Sequence, residues 1–179
     1  VEPSSFFIEP KETREVFFTL NVPKSVVGGN KSVIFFQSKS AEDVNASKKN
    51  IKKMIMSVRA GATILQESKG TTEIKSKISK IDITKPSSSG SQNLVITLKI
   101  KNEGNTFVNT SGNISLIRDD DTYISSAVLE EKLIYQNRES SVEANFSSVK
   151  NLEPGLYHAL ITYKYRDKTI SIDKTFQID

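Results

Sequence analysis

Apolar and polar residues alternate along much of this chain, and the alternation is cleanest just after Pro154-Gly155. There Tyr157, Ala159, Ile161 and Tyr163 interleave with Leu156, His158, Leu160 and Thr162. A period of two predicts a strand, and apolar residues on both of its faces place that strand centrally in a sheet. Leu94, Ile96, Leu98 and Ile100 alternate in the same way with Val95, Thr97, Lys99 and Lys101, which predicts a half-buried strand. Ile114 and Leu116 point inward from a strand over 112–118 that closes at Asp119-Asp120-Asp121. The stretch Tyr123 to Ile134 reads as one further strand with Ala127, Leu129 and Leu133 inward. Val142, Ala144 and Phe146 mark the next, and Thr169 to Ile178 the last. Ile74, Ile78, Ile81 and Ile83 form an irregular first strand of this group. Seven strands spaced by roughly 10–15 residues follow the cadence of a β-sandwich.

Upstream the pattern is less regular. Phe6-Phe7-Ile8 runs into Pro10, and a turn follows at Lys11-Glu12. In Glu15–Val22, Val16, Phe18, Leu20 and Val22 share one face while Phe17 intrudes on the other, so this strand is expected to be covered on both sides or to lie at an interface. Ser32 to Ser38 (SVIFFQS) is short, β-branched and aromatic, and reads as a buried strand. Strand character resumes over Lys53 to Gln66, with Gly61 expected at a bulge or bend. The stretch ESKGTT, Glu67 to Thr72, has no apolar residue and divides the chain. The expected organisation is a partial sandwich over 1–68, a linker over 69–73 and a seven-stranded sandwich over 74–179. About four strands are too few for the first unit, since a sandwich of this kind uses roughly seven. The chain also opens within a strand-like stretch. The expectation is a piece of a longer precursor, with the missing strands upstream or supplied by another chain.

Composition narrows the function classes. The 179 residues carry 25 Lys plus Arg against 21 Asp plus Glu, a formal charge of +4. The densest basic run, SKKNIKK, contains no aromatic residue for base stacking, so no nucleic-acid partner is expected. The absence of Cys removes disulfides, thiolate metal sites and a Cys nucleophile. No apolar run reaches the roughly 18 residues that span a bilayer.

The segment FFIEPKETREVFFTLNVPKSVVGGNKSVIFFQS resembles the second half of an immunoglobulin-like domain of periplasmic fimbrial chaperones. It shares a Pro-ended strand, a turn, an alternating strand ending in Val-Pro, a Gly loop and an apolar strand. The resemblance implies a following strand that presents alternating apolar residues to partner subunits, at positions matching Met54, Met56 and Val58, with Arg59 next. ITLKIKNEGNTFVNTSGNISLIRDD and LEPGLYHALITYKY resemble Ig-like cell-surface domains of bacterial exported proteins instead. Tyr157, two residues after Gly155, resembles the tyrosine corner of immunoglobulin-like sandwiches. Together these imply an all-β chain of two immunoglobulin-like β-sandwich domains in tandem, the first incomplete at its N-terminus, in the periplasm or at a cell surface.

Candidate chemistry is sparse. His158 is the only His, and the ordinary reading is a solvent-facing strand residue rather than a general base. With no Cys and one His, no transition-metal site is expected. Asp119-Asp120-Asp121 offers hard oxygens for Ca²⁺, but consecutive residues do not easily face one ion, and Asp is a common turn former. Asn30, Asn45, Asn109, Asn113 and Asn145 begin N-x-[ST] sequons, which arise readily by chance in an Asn- and Ser-rich chain. VGGN, from Val27, lacks the Lys-Ser/Thr of a phosphate loop. No catalytic residue, cofactor or metal is therefore assigned. Phe7, Phe17, Met54, Ile55, Met56, Val58 and Arg59 are the candidate partner-binding residues, for strand addition from a protein partner or neighbouring subunit, with oligomerisation open. The alternative is a passive spacer in a larger surface or filament protein.

Overall fold

The computed structural model describes residues 1–38, 57–86, 93–149 and 152–179. Among these residues every regular element is a strand, and no helix is long and apolar enough to cross a membrane. In chain order the strands are β1 (Gly29–Gln37), β2 (Arg59–Glu67), β3 (Ser76–Thr84), β4 (Leu94–Asn102), β5 (Val108–Arg118), β6 (Tyr123–Val128), β7 (Lys132–Ile134), β8 (Glu139–Phe146), β9 (Gly155–Tyr165) and β10 (Lys168–Ile178).

From β3 onward, two antiparallel sheets enclose a common core. One has the order β3-β4-β8 and the other β10-β9-β5-β6, with β7 paired to the remaining length of β5. The core follows the period-two pattern. Leu94, Ile96, Leu98 and Ile100 of β4 are fully buried, and meet Ile114 and Leu116 of β5 and Tyr157, Ala159, Ile161 and Tyr163 of β9. Burying each such aliphatic side chain contributes roughly 1.5–3 kcal/mol. The hydroxyls of Ser76 and Tyr163, 2.7 Å apart, share a buried hydrogen bond between the two sheets. Strand β9 is central, flanked by β10 and β5. Its other face is half-buried at His158 and Thr162, and exposed at Leu156 and Leu160.

The irregular isoleucine spacing of β3 has a cause. The pairing shifts by one residue between Ile78 and Lys80, so Ile78, Ile81 and Ile83 oppose Ile100, Leu98 and Ile96 in turn. A bulge at Ser79 thus keeps isoleucines three and two residues apart on one face. The stretch expected as one strand over Tyr123–Ile134 divides in two. Strand β6 pairs with Asn113–Ile117 and β7 with Val108–Thr110 of the same strand β5. Among the described residues this unit therefore has eight strands where seven were expected, and Ile134 takes the core position while Leu133 is half-buried.

The N-terminal region departs further from its pattern. Among the described residues its regular structure is the β1–β2 hairpin, plus one isolated bridge between Glu2 and Phe17. Neither Phe6–Ile8 nor Glu15–Val22 forms a strand, because among the described residues only Phe17 finds a backbone partner across the chain. Ser32–Ser38 is strand as expected but not buried: Val33, Phe35 and Phe36 are exposed. Gly61 marks no bulge. It sits in unbroken register opposite Phe35, and a Cβ there would come within 3.1 Å of the Phe35 ring.

Candidate functional site

Exposed large apolar side chains concentrate in the first 65 residues, where Phe7, Phe17, Phe18, Leu20, Val33, Phe35, Phe36, Val58 and Leu65 all face solvent. Of the residues singled out from sequence, Phe7 (86% exposed) and Phe17 (68%) lie on the extended N-terminal stretch. Val58 (63% exposed) and Arg59 lie at the end of the hairpin, where the Ser38 amide donates to Val58 O at 2.8 Å. The Arg59 guanidinium covers the Phe35 ring at 3.9 Å from its centroid. Met54, Ile55 and Met56 lie outside the described residues.

The hairpin backbone is the more informative feature. Ser68 donates to Gly28 O and Ser38 to Val58 O, both across the hairpin. In an antiparallel pair, hydrogen-bonded and non-hydrogen-bonded pairs alternate. The amides and carbonyls of Lys31, Val33, Phe35 and Gln37 therefore point away from β2, and those of Arg59, Gly61, Thr63 and Leu65 away from β1. The Gly29 amide follows this rule, reaching out of the hairpin to Asn105 O at 2.9 Å. Among the described residues none of the other eight makes a backbone hydrogen bond outward, and no described strand pairs with either outer edge of the hairpin. Sequence reasoning missed Val33, Phe35 and Phe36 as surface residues. The apolar side chains on both faces of SVIFFQS are equally consistent with burial and with an exposed apolar surface.

Elsewhere the polar clusters have internal partners. His158 Nδ1 lies 3.0 Å from Asp173 Oδ2 and Nε2 lies 3.4 Å from Asp119 Oδ1. Asp173 and then Asp119 hold the imidazole pKa above its ordinary value. The carboxylate of Asp120 turns back to accept from the Thr122 amide at 3.0 Å, so neighbouring acidic side chains of this turn face different partners. Among the described residues no group of three His, Asp or Glu side chains is arranged to hold a metal ion. A shallow opening of about 230 Å³ between β3 and β10 is lined by Ile78, Ser79, Lys80, Ile81, Ile172 and Lys174.

No family model matches the chain, and no curated protein matches it. Among solved structures, a family 123 glycoside hydrolase from Clostridium perfringens, described for glycolipid glycan hydrolysis, aligns at 15% sequence identity with a TM-score of 0.38. The alignment covers 49% of this chain and 21% of that one. A likeness at that TM-score carries no argument about chemistry.

Proposed function

We propose that this chain is a non-catalytic, exported binding or assembly module whose N-terminal hairpin offers open strand edges to a protein partner or neighbouring subunit. The observation that carries this reading is that, among the described residues, nothing pairs with the outer edges of β1 and β2, which are flanked by exposed Phe35, Phe36 and Val33. Strand addition draws affinity from outward amides and carbonyls, and selectivity from alternate side chains. Natural edge strands are usually blunted by charge, proline or a bulge. Strand β1 carries Lys31 at one end of its edge and no proline or bulge within it. Strands β3–β10 form the carrier, read as an immunoglobulin-like sandwich. The order β3-β4-β8 against β10-β9-β5-β6 corresponds to A-B-E against G-F-C-C′, and Tyr157 donates to Glu153 O at 2.8 Å as a tyrosine corner does. Action in the periplasm or at a cell surface rests on the same likeness and is tested by fractionating cells that make the full-length protein.

The functional test is the mass of the chain in solution over a concentration series, combined with hydrogen exchange on β1 and β2. Two substitutions sharpen it, because Val33→Pro and Thr63→Pro each remove one outward amide without touching a bond between β1 and β2. The expected result is association that protects the Val33, Phe35, Gly61 and Thr63 amides and is lost in one of the proline variants, or a monomer in which those amides exchange fast. A monomer with all four amides protected means that the hairpin is covered within the chain, and the binding reading fails. The second reading, a passive spacer, is favoured by the densely bonded junction between hairpin and sandwich and predicts such a protected monomer.

A further inference from the structure

We infer that the β1–β2 hairpin is locked to the sandwich at its base, so that residues 67–75 act as a fixed elbow and not as a hinge. The socket is the β4–β5 loop. All four polar atoms of Asn105 are used across the junction: its amide donates to Glu73 O at 3.0 Å, and its carbonyl accepts from the Gly29 amide at 2.9 Å. Its side-chain Oδ1 accepts from the Glu73 amide at 2.7 Å, and its Nδ2 donates to Thr71 O at 2.9 Å. One residue of the sandwich thus grips both the first residue of β1 and the segment that leaves β2. The amides of Glu103 and Gly104 donate to Lys75 O at 2.8 and 3.1 Å, extending the grip toward β3.

A second set of contacts flanks the first. Thr106 Oγ1 donates to Glu67 Oε1 at 2.5 Å, and Arg166 pairs with the same carboxylate while lying 5.4 Å over the Phe107 ring. The Gly28 amide donates to Thr71 Oγ1 at 2.9 Å, and that hydroxyl donates to Ser68 O at 2.9 Å. Farther along β1, Lys31 Nζ sits 4.5 Å from the centroid of the Tyr135 ring. The fit is also steric. Gly28 has φ +69, and a Cβ there would collide with Asn105 O.

A hinge needs a few residues that can absorb φ/ψ changes at little cost. Here the segment leaving β2 has its backbone groups bonded to both bodies at Ser68, Thr71, Glu73 and Lys75, and rotation about it breaks several hydrogen bonds together. The consequence goes beyond the strand-edge reading and does not depend on it. Whatever meets the hairpin is held at one distance and one angle from the sandwich.

The chain has no native Cys, so a Thr63→Cys, Glu143→Cys pair places one spin label on the hairpin and one on the outer face of β8. Double electron–electron resonance on this labelled chain is expected to give a single narrow distance peak. Adding Asn105→Ala, which removes two of the four anchoring bonds and strands the Glu73 amide, is expected to widen the peak about twofold. Thr71→Val, a milder change that takes out only the hydroxyl bridge, is expected to widen it less. Near-UV circular dichroism of the sandwich tyrosines serves as the fold control. A broad distribution in the parent chain overturns the inference, and so does an unchanged width in both variants.

Discussion

At the residue scale, Tyr157 and His158 are neighbours on β9 with opposite surroundings. The Tyr157 ring is buried and stacks on Phe176 at 5.8 Å between centroids, and its hydroxyl holds the bend before β9 by donating to Glu153 O. Removing that hydroxyl with Tyr157→Phe is expected to cost about 1 kcal/mol in urea unfolding, the size of one ordinary hydrogen bond. His158 faces outward between Asp173 and Asp119. Its folded pKa is raised above the ordinary 6.5, first by the hydrogen bond it donates to the Asp173 carboxylate and then by the one to Asp119. A raised folded pKa contributes stability that is complete below the unfolded value and is lost as pH rises through the folded one. Urea midpoints are therefore expected to fall with rising pH across and above 6.5, and Asp173→Asn is expected to flatten that slope. Glu103 has the opposite sign. Lys77 at 2.5 Å, with Lys101 and Lys75 beyond, lowers its pKa below 4.5, so its contribution is lost on acidification below that value. The outward position of His158 follows from the alternation around it. Its two carboxylates come from the β5–β6 turn and from β10, and only strand register brings them together.

At the scale of elements, strands β4 and β1 illustrate the limits of periodicity. Strand β4 buries its alternating apolar residues completely, whereas the continuous apolar run Val33–Phe36 of β1 stays largely exposed. A strand's own sequence reports which side chains share a face; what lies against that face is decided by other parts of the chain. Ile96→Ala is expected to destabilise the sandwich by roughly 2–5 kcal/mol, the usual cost of a core cavity. Phe35→Ala, on a ring that is 54% exposed, is expected to leave sandwich unfolding within about 0.5 kcal/mol. Parallel urea melts compare the two. The bulge in β3 was foreshadowed by the irregular spacing of Ile78, Ile81 and Ile83, whereas Gly61 carried a bulge signal without a bulge. At Gly61 the missing side chain leaves room for Phe35 across the ladder.

At the scale of the whole molecule, stability is uneven. Hydrogen exchange is expected to be slowest at Ile96, Leu98, Ile114 and Ile161, in strands paired on both sides, and fastest over residues 1–27, where the Glu2–Phe17 bridge and a few turns are the backbone structure. Comparable protection over the two regions counts against this account. The sequence by itself determined the all-β character, the core positions of β4, β5, β8 and β9, and the turn at Asp119–Asp121, because period-two patterning and turn chemistry act over a few residues. The tertiary structure alone decided which sheet each strand joined, the division of Tyr123–Ile134 into β6 and β7, and the grip of Asn105 on the hairpin base. It also decided that SVIFFQS lies exposed and that Glu15–Val22 forms no strand. Each of these depends on contacts between residues far apart in the chain, and a strand pattern becomes a strand only where another strand takes its amides and carbonyls.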